Sequence, residues 1–339
     1  MSDAGPDRPK RRPRYSGKNP RHFSEKYKEH APDRYAADVE KVLASGKTPA
    51  GMHRPIMVRE ILEVLAPRAG ELAVDCTLGY GGHARELLAA IQPGGRLVGL
   101  DVDPIELPKT EARLRALGFG PDTFTAHRTN YAGLAKVLSE PADMILADLG
   151  LSSMQIDDPA RGFSFKQDGP LDLRMNPQRG QPASALLATL DDTRLANILA
   201  ENADEPDALP LASAILRAPI AGTLALARVI RDAGRDDLSV RRVFQALRIV
   251  VNDEFSALDT FLRHLPLCLK AGGRVAILTF HSGEDRRVKK ALQTSEREGT
   301  YSKVARDVTR PGAAELRANP RSSSAKLRWA VRANQPHGI

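Results

Sequence analysis

The sequence predicts an α/β fold in which a parallel, doubly wound sheet carries an inserted all-helical subdomain. Three observations point there. From about residue 50 to 150, short apolar runs of strand length alternate with stretches of helical spacing. The first strand ends in an acid and enters a glycine-rich turn, "VDCTLGYGGHA" at 74–84, from which a helix starts. Some eighty residues of helical spacing then separate the fourth strand from the fifth.

Taken in order, "PIMVREILEVL" has helical spacing, "ELAVD" reads as a buried strand, and "HARELLAAI" is a helix beginning at the glycines. "GRLVGLDVD", "TFTAHRT" and "DMILADLG" read as strands, with helices between them at 105–117 and 132–139. A polar loop with Gly and Pro at 157–182 leads into "PASALLATLDDTRLANILAEN", "PLASAILRA" and "GTLALARVIRDA", all helical. The next strand is "GGRVAILTF" at 272–280. The last alternation sets Leu327, Trp329 and Val331 on one face against Lys326, Arg328 and Arg332 on the other, which predicts a half-exposed strand near the sheet edge.

The bulk numbers narrow the function class. The 339 residues suffice for more than one compact unit. Fifty Lys and Arg against 42 Asp and Glu give a net charge of +8, which suits a polyanionic partner. Two cysteines, Cys76 and Cys268, exclude a disulfide framework and fit a reducing compartment. The most apolar window, 209–230, is broken by Arg217, Pro219 and Arg228 and fails as a membrane span, so a soluble, cytoplasmic protein is expected. Residues 1–34 hold ten basic and five acidic residues with almost no aliphatics, the composition of a flexible tail suited to RNA or simply to solvent.

Two ligands suit the glycine turn. "GYGGHA" fits the loose dinucleotide pattern GxGxxG/A, with Asp101 placed as a ribose-binding acid 22 residues beyond Gly79. Asp75, Thr77, Gly79 and Gly81 also follow the spacing of sites for S-adenosylmethionine, with Thr77 where a glycine is usual. A pyrophosphate requires bare amides and is repelled by an acid, whereas a sulfonium beside an ammonium favours carboxylates. Asp75 therefore favours the methyl donor, and Asp101 serves either ligand.

The stretch "ADLGLSSMQIDDPARGFSFKQDGPLDLRMNP" (147–177) follows the fourth strand. Together with "GYGGH", "FQALRIVVNDE" (244–254), "GGRVAILTFHSGEDRRVK" (272–289) and "NPRSSSAKLR" (319–328), it closely resembles the bacterial small-subunit ribosomal RNA (cytosine-N4)-methyltransferases over about residues 52–333. The resemblance implies a Rossmann-like class I S-adenosylmethionine-dependent methyltransferase sheet with an inserted helical domain. It implies methylation of the N4 amine of a cytosine in the decoding region of 16S ribosomal RNA, on RNA or a ribosomal subunit. The implied domains are a basic extension at 1–50, a discontinuous methyltransferase domain at 51–157 and 245–335, and a substrate-recognition insert at 158–244.

Carried over by motif, the donor-binding residues are Gly81, Gly82, His83, Asp101, Tyr131, Asp148 and Gln155. Three departures stand out: Tyr131 replaces a Phe, Gly283 replaces the Leu of "FHSLEDR", and "NADEPDALPLAS" replaces a charged "YGEE" segment. The first keeps a ring for stacking under adenine, the second loosens a packing contact, and the third alters the RNA-facing part of the insert.

The N4 amine of cytosine is a weak nucleophile because its lone pair is delocalised into the ring. Groups that accept its protons and hold it in line with the methyl help most. Asp148 and the Leu149 carbonyl are the candidates, with Ser152 or Ser153 on the base, although Asp148 also suits the methionine ammonium and either serine suits a cap. An extruded base needs aromatic or guanidinium surfaces, for which Phe163, Phe165, Phe280 and His281 are candidates. Arg161, Lys166, Arg174, Arg241, Arg242 and Arg248 are expected on phosphates. No metal-ligand spacing appears, so no catalytic metal is expected. A non-catalytic assembly factor and a nicotinamide oxidoreductase are the rival classes. Oligomeric state is left between monomer and homodimer.

Overall fold

The computed structural model describes residues 55–334. The basic extension expected at 1–50 and the tail within it lie outside these residues.

The chain enters through α1 (Val58–Leu65), and β1 (Leu72–Asp75), α2 (Gly82–Ala90), β2 (Arg96–Asp101), α3 (Glu106–Ala116) and β3 (Phe124–Arg128) follow. A one-turn α4 (Leu134–Val137) precedes β4 (Ala142–Asp148). Then come α5 (Ser153–Asp157), α6 (Ala183–Leu187), α7 (Asp192–Ala203), α8 (Ala208–Arg217), α9 (Thr223–Asp232), α10 (Asp237–Val251) and α11 (Glu254–His264). The chain returns through β5 (Leu269–Thr279), α12 (Ser282–Arg297), β6 (Tyr301–Val304), α13 (Ala313–Ala318) and β7 (Lys326–Arg332).

The sheet order is β3-β2-β1-β4-β5-β7-β6. The first five strands pair in parallel, and β7 runs antiparallel to both β5 and β6. This is a Rossmann-like doubly wound sheet with the antiparallel β7 set between β5 and β6. Its two faces are both covered: Ala73 packs with Ile61, Leu65 and Leu87 from α1 and α2, whereas Leu72 and Val74 pack with Leu258, Phe261 and Val288 from α11 and α12. Burial on both sides is why β1 is apolar at successive positions instead of alternating. It also brings the acids that end β1, β2 and β4 to one rim, with Asp75 level with Gly99 and with Leu146.

The helices between β4 and β5 have a core of their own. Leu195, Leu199, Leu211, Ile215, Leu226, Ile230 and Val243 are essentially without solvent contact and pack in one cluster separate from both sheet layers. At roughly 1.5–3 kcal/mol for each aliphatic side chain, that cluster is large enough to order these helices. The expected domain border at 244/245 falls inside the continuous α10, whose Leu247 belongs to the helical core.

Several elements differ from expectation. The helix foreseen at 132–139 is a 3-10 turn at Tyr131–Gly133 followed by the four residues of α4. The stretch 182–202 breaks into α6 and α7, because the Asp191 carboxylate caps the second helix on the Arg194 amide at 2.8 Å. Strand β6 and helices α11 and α12 were not among the expected elements, although Leu258, Phe261 and Leu262 of α11 and Val288 and Leu292 of α12 recur at helical spacing. β7 is not half exposed but lies between two strands, and its Arg328 is buried because the guanidinium meets Asp285 of α12 at 2.6 Å.

Candidate active site

Asp75, at the end of β1, is buried. Its Oδ1 accepts the Thr77 amide at 3.1 Å, while Oδ2 has no hydrogen-bond partner among the described residues. Burial pushes its carboxyl up to about 6; His83 opposes that rise, and Asp148 and Asp101 add to it. The turn that follows is closed by backbone and side-chain bonds: Gly79 N–H donates to Asp101 Oδ2 at 2.7 Å, and the Thr110 hydroxyl of α3 donates to the Gly79 carbonyl at 2.5 Å. Gly81 has φ +82°, and a Cβ there would lie 2.9 Å from Thr110 Cγ2, so a side chain is excluded by both conformation and space. Gly82 is held by proximity too, since its Cβ would meet Pro55 Cγ at 2.4 Å.

Thr77 turns out to have its own task. Its hydroxyl accepts the Asp148 amide at 2.7 Å and so ties the end of β1 to the end of β4, which a glycine in that place could not do. Asp148 ends β4 with Oδ1 buried and unpartnered, and burial, reinforced by Glu284, pushes its carboxyl up to about 7. Beside it stands His83, in the first turn of α2. Its Nε2 lies 2.9 Å from the Ile56 carbonyl and its Nδ1 3.5 Å from Asp148 Oδ2. Burial lowers the imidazole below its usual range, and a helix N-terminus disfavours a cation in the same sense. The structure thus brings Asp75, Gly79, Gly81, Gly82, His83 and Asp148 together at the rim, with Asp101 beside them accepting from Gly79 and, at 2.9 Å, from Asp103.

Other expected residues have different surroundings. Ser152 caps α5, accepting the Gln155 amide at 3.2 Å while Gln155 Oε1 accepts the Ser152 amide at 3.0 Å. Gln155 Nε2 donates to Asp103 Oδ2 at 2.9 Å. Tyr131 sets its ring edge-on to Phe261, with centroids 5.5 Å apart, and its hydroxyl 3.5 Å from the Glu254 carbonyl.

Six residues expected on the substrate are instead engaged within the protein. Arg161 is buried and donates to Asp103 Oδ2 at 2.8 Å and to the Arg174 and Met175 carbonyls, so it ties a loop and is not free for phosphate. Arg248 is held bidentate by Glu254 at 2.8 and 2.9 Å, and Arg174 by Asp172 at 2.7 and 2.8 Å. Phe163 belongs to the helical core and Phe165 packs on Phe244 at 5.5 Å, so both anchor the loop instead of receiving a base. His281 begins α12 with Nε2 3.1 Å from Glu284 Oε1, a strand-end histidine already provided with a partner. Arg242 stands 3.6 Å from buried Glu205, whereas Lys166 and Arg241 are exposed and without a partner among the described residues.

Sequence reasoning passed over Asp103, Thr110 and Glu284. Asp103 was visible in "DVD", but only the fold shows that it joins α3, α5 and the 161–175 loop. Among the described residues one trio, Glu254, His281 and Glu284, brings possible metal donors within 4.8 Å of one another. Arg248 already supplies the positive charge for Glu254, and Glu284 accepts the Phe280 amide at 2.8 Å besides His281, so the trio reads as a hydrogen-bonded network. Gly283 does not loosen packing, because Phe255 takes up the room: a Cβ there would come within 2.6 Å of the Phe255 ring.

Comparison with known proteins decides the family, since the profile of the MraW methylase family matches residues 50–333. The chain belongs to the MraW methylase family. It is 49% identical to ribosomal RNA small subunit methyltransferase H 1 of Lachnoclostridium phytofermentans, across 96% of this chain and 93% of that one. It is also 49% identical to ribosomal RNA small subunit methyltransferase H 2 of Alkaliphilus metalliredigens, across 95% and 97%, and 40% identical to the Myxococcus xanthus enzyme named ribosomal RNA small subunit methyltransferase H, across 81% and 96%. Alignment at that length places the sheet rim and the helical lobe of this chain within one family.

Proposed function

We propose that this chain transfers a methyl group from S-adenosylmethionine to the N4 amine of a cytosine in the decoding region of 16S ribosomal RNA. The observation that carries the reading is the pair of buried carboxylate oxygens without partners, Asp75 Oδ2 and Asp148 Oδ1, beside a glycine turn at the ends of β1 and β4. Leaving two such atoms unsatisfied is costly; a cationic donor with an ammonium group would relieve Asp75, and an exocyclic amine held against the methyl would relieve Asp148. A pyrophosphate would be repelled by the same atoms, which removes the nicotinamide alternative.

When bound, the donor supplies a sulfonium-activated methyl group. In this reading Gly81, Gly82 and His83 form its floor, Asp101 accepts its ribose hydroxyls, Tyr131 borders its adenine, and Gln155 fixes the turn that closes the pocket. Asp148 and the Leu149 carbonyl accept the amine's hydrogens, which draws the nitrogen away from planarity and aligns its lone pair. Ser152 holds the Leu149 turn in place. Arg161 shapes the loop beside the base, while Lys166 and Arg241 face RNA phosphates. The helical lobe at 158–244 serves recognition, and work on ribosomal RNA places the protein in the cytoplasm.

Nucleoside mass spectrometry of small-subunit RNA, from cells with and without the gene, tests this directly. The expected result is loss of N4-methylcytidine in the deletion and its return on complementation. An unchanged level would reject the reading.

A further inference from the structure

We propose that Asp148 and His83 jointly take up the proton released by the methylated amine, with His83 as a positioning residue whose Nδ1 lone pair accepts the hydrogen that Asp148 acquires. This rests on the reading of the rim as an amine methyltransferase centre. The geometry fixes the roles. A carbonyl can only accept, so the 2.9 Å contact with Ile56 O puts the ring hydrogen on Nε2 and leaves Nδ1 as a lone pair. That lone pair stands 3.5 Å from Asp148 Oδ2. Two acceptors facing each other repel, and a single proton between them turns the contact into a hydrogen bond.

The charged groups acting on His83 are Asp75 from β1, Asp148 from β4, Glu315 from α13 and Glu86 on its own helix, all acids, while Asp148 also feels Glu284 of α12. Acids alone would favour an imidazolium. Burial and the start of α2 outweigh them and keep the ring neutral, and the same burial makes Asp148 ready to hold a proton near neutral pH. Asp148 Oδ1, which has no hydrogen-bond partner among the described residues, is left for the amine.

The step balances. The methyl–sulfur bond breaks and leaves its electron pair on a sulfur that becomes neutral. The N4 lone pair forms the N–CH3 bond and the nitrogen becomes cationic. An N–H electron pair then returns to nitrogen as the proton moves to Asp148 Oδ1, and a half-turn of the carboxyl group about Cβ–Cγ presents that hydrogen to His83 Nδ1, which stands on the Oδ2 side. The positive charge lost from sulfur is thereby replaced by a proton on a neighbouring carboxylate, and the charge of the closed pocket stays constant through the reaction. No water needs to enter to carry the proton away before the product leaves.

The test uses the full chain labelled with 15N-histidine, with the His83 signals assigned by comparison with His83→Gln. The expected spectrum, free and with S-adenosylhomocysteine, shows the Nε2–H tautomer at neutral pH with Nδ1 as a hydrogen-bonded acceptor. An Nδ1–H tautomer or an imidazolium would overturn the proposal. Single-turnover methyl transfer to small-subunit RNA at saturating donor is expected to slow by roughly 100-fold in both His83→Gln and His83→Asn, with an altered pH profile. Because His83 also lines the donor floor, calorimetry is expected to show weaker donor binding, which saturating donor offsets in the rate measurement, and circular dichroism reports that the variants fold. Weakened donor binding with an unchanged saturated rate and pH profile would overturn the proposal in favour of a purely binding role. If the unmodified chain transfers no methyl to RNA, the reaction itself is rejected, whatever the tautomer shows.

Discussion

Two acids at the sheet rim, the buried Asp75 and the half-buried Asp148 with its one buried oxygen, contrast with the buried acids that surround them. Asp103 accepts from Arg161, Gln155 and backbone amides of α3, and Glu284 accepts from His281 and two backbone amides. Those carboxylates have the donors a buried charge requires. Asp75 and Asp148 each keep an oxygen with none, and burial lifts the carboxyls of both while their partners hold Glu284 below its usual range. The satisfied acids build the frame, whereas the unsatisfied ones are the groups to which the proposed reaction assigns the donor and the amine. Glu106 Oε2 and Glu205 Oε2 also lack a hydrogen-bond partner among the described residues, but those acids have Lys109 at 2.8 Å and Arg242 at 3.6 Å, so it is an incomplete acid with no Lys or Arg beside it that marks the functional rim.

The sharpest way to break this comparison is Asp148→Asn. The amide still accepts one hydrogen bond but cannot become the proton's acceptor, so single-turnover methyl transfer is expected to fall by about 10²- to 10⁴-fold. Radiolabel transfer to small-subunit RNA measures it. A fall smaller than fivefold would place Asp148 among the framework acids.

Arg161→Met tests the opposite class. It leaves Asp103 buried without its guanidinium, and breaking such a pair costs about 3–5 kcal/mol, far more than a surface ion pair contributes. Urea unfolding should show the loss at neutral pH. The Arg161→Met, Asp103→Asn double variant should recover much of it, because the stranded charge is removed as well.

A pH series separates the two classes further. Asp148 has a folded pKa raised to about 7, above its unfolded value, so its contribution to stability is fully present below the unfolded value near 4 and is lost as pH rises toward 7. Glu284, lowered in the fold, behaves in the opposite sense and loses its contribution as pH falls. Without donor, Asp148→Asn should therefore be more stable than the unmodified chain at slightly alkaline pH, by up to a few kcal/mol. The two should converge in mild acid. Parallel unfolding curves across that range would show that Asp148 is solvated and its carboxyl unshifted.

How much of this was legible depended on how local each signal was. Strand ends are local, so Asp75, Asp101 and Asp148 could be placed at one rim from the apolar runs that precede them, and the glycine turn from its own spacing. The partners of Arg161 and the phenylalanines were not, because they are settled by contacts across long stretches of chain, such as Arg161 to Asp103 and Phe165 to Phe244, while Arg248 meets Glu254 only six residues on, across the break between α10 and α11. A basic residue in a polar loop looks the same in sequence whether it meets RNA or a buried acid. The caps of the inserted helices fall between these cases: Asp191 and Asp236 each accept amides two or three residues on, and such residues can be read as helix starts once the periodic segment is divided correctly.

The smallest effect concerns a site where the frame has been repacked. Gly283 opens α12 beside Phe255 of α11, where a Cβ would sit 2.6 Å from Phe255 Cζ and 3.3 Å from His281 Nδ1. Gly283→Ala alone should destabilise by about 1–3 kcal/mol through overpacking, despite the better helix propensity of alanine. Paired with Phe255→Leu, which clears the ring, the same substitution should become nearly neutral or mildly stabilising. A thermal-unfolding double-mutant cycle measures that coupling. Because His281 touches both residues and engages Glu284, the single variant should also disturb the satisfied acid network while leaving donor affinity at the β1–β4 rim unchanged. A donor affinity that falls in step with stability would show that the two classes of acid are coupled and that the rim depends on its frame.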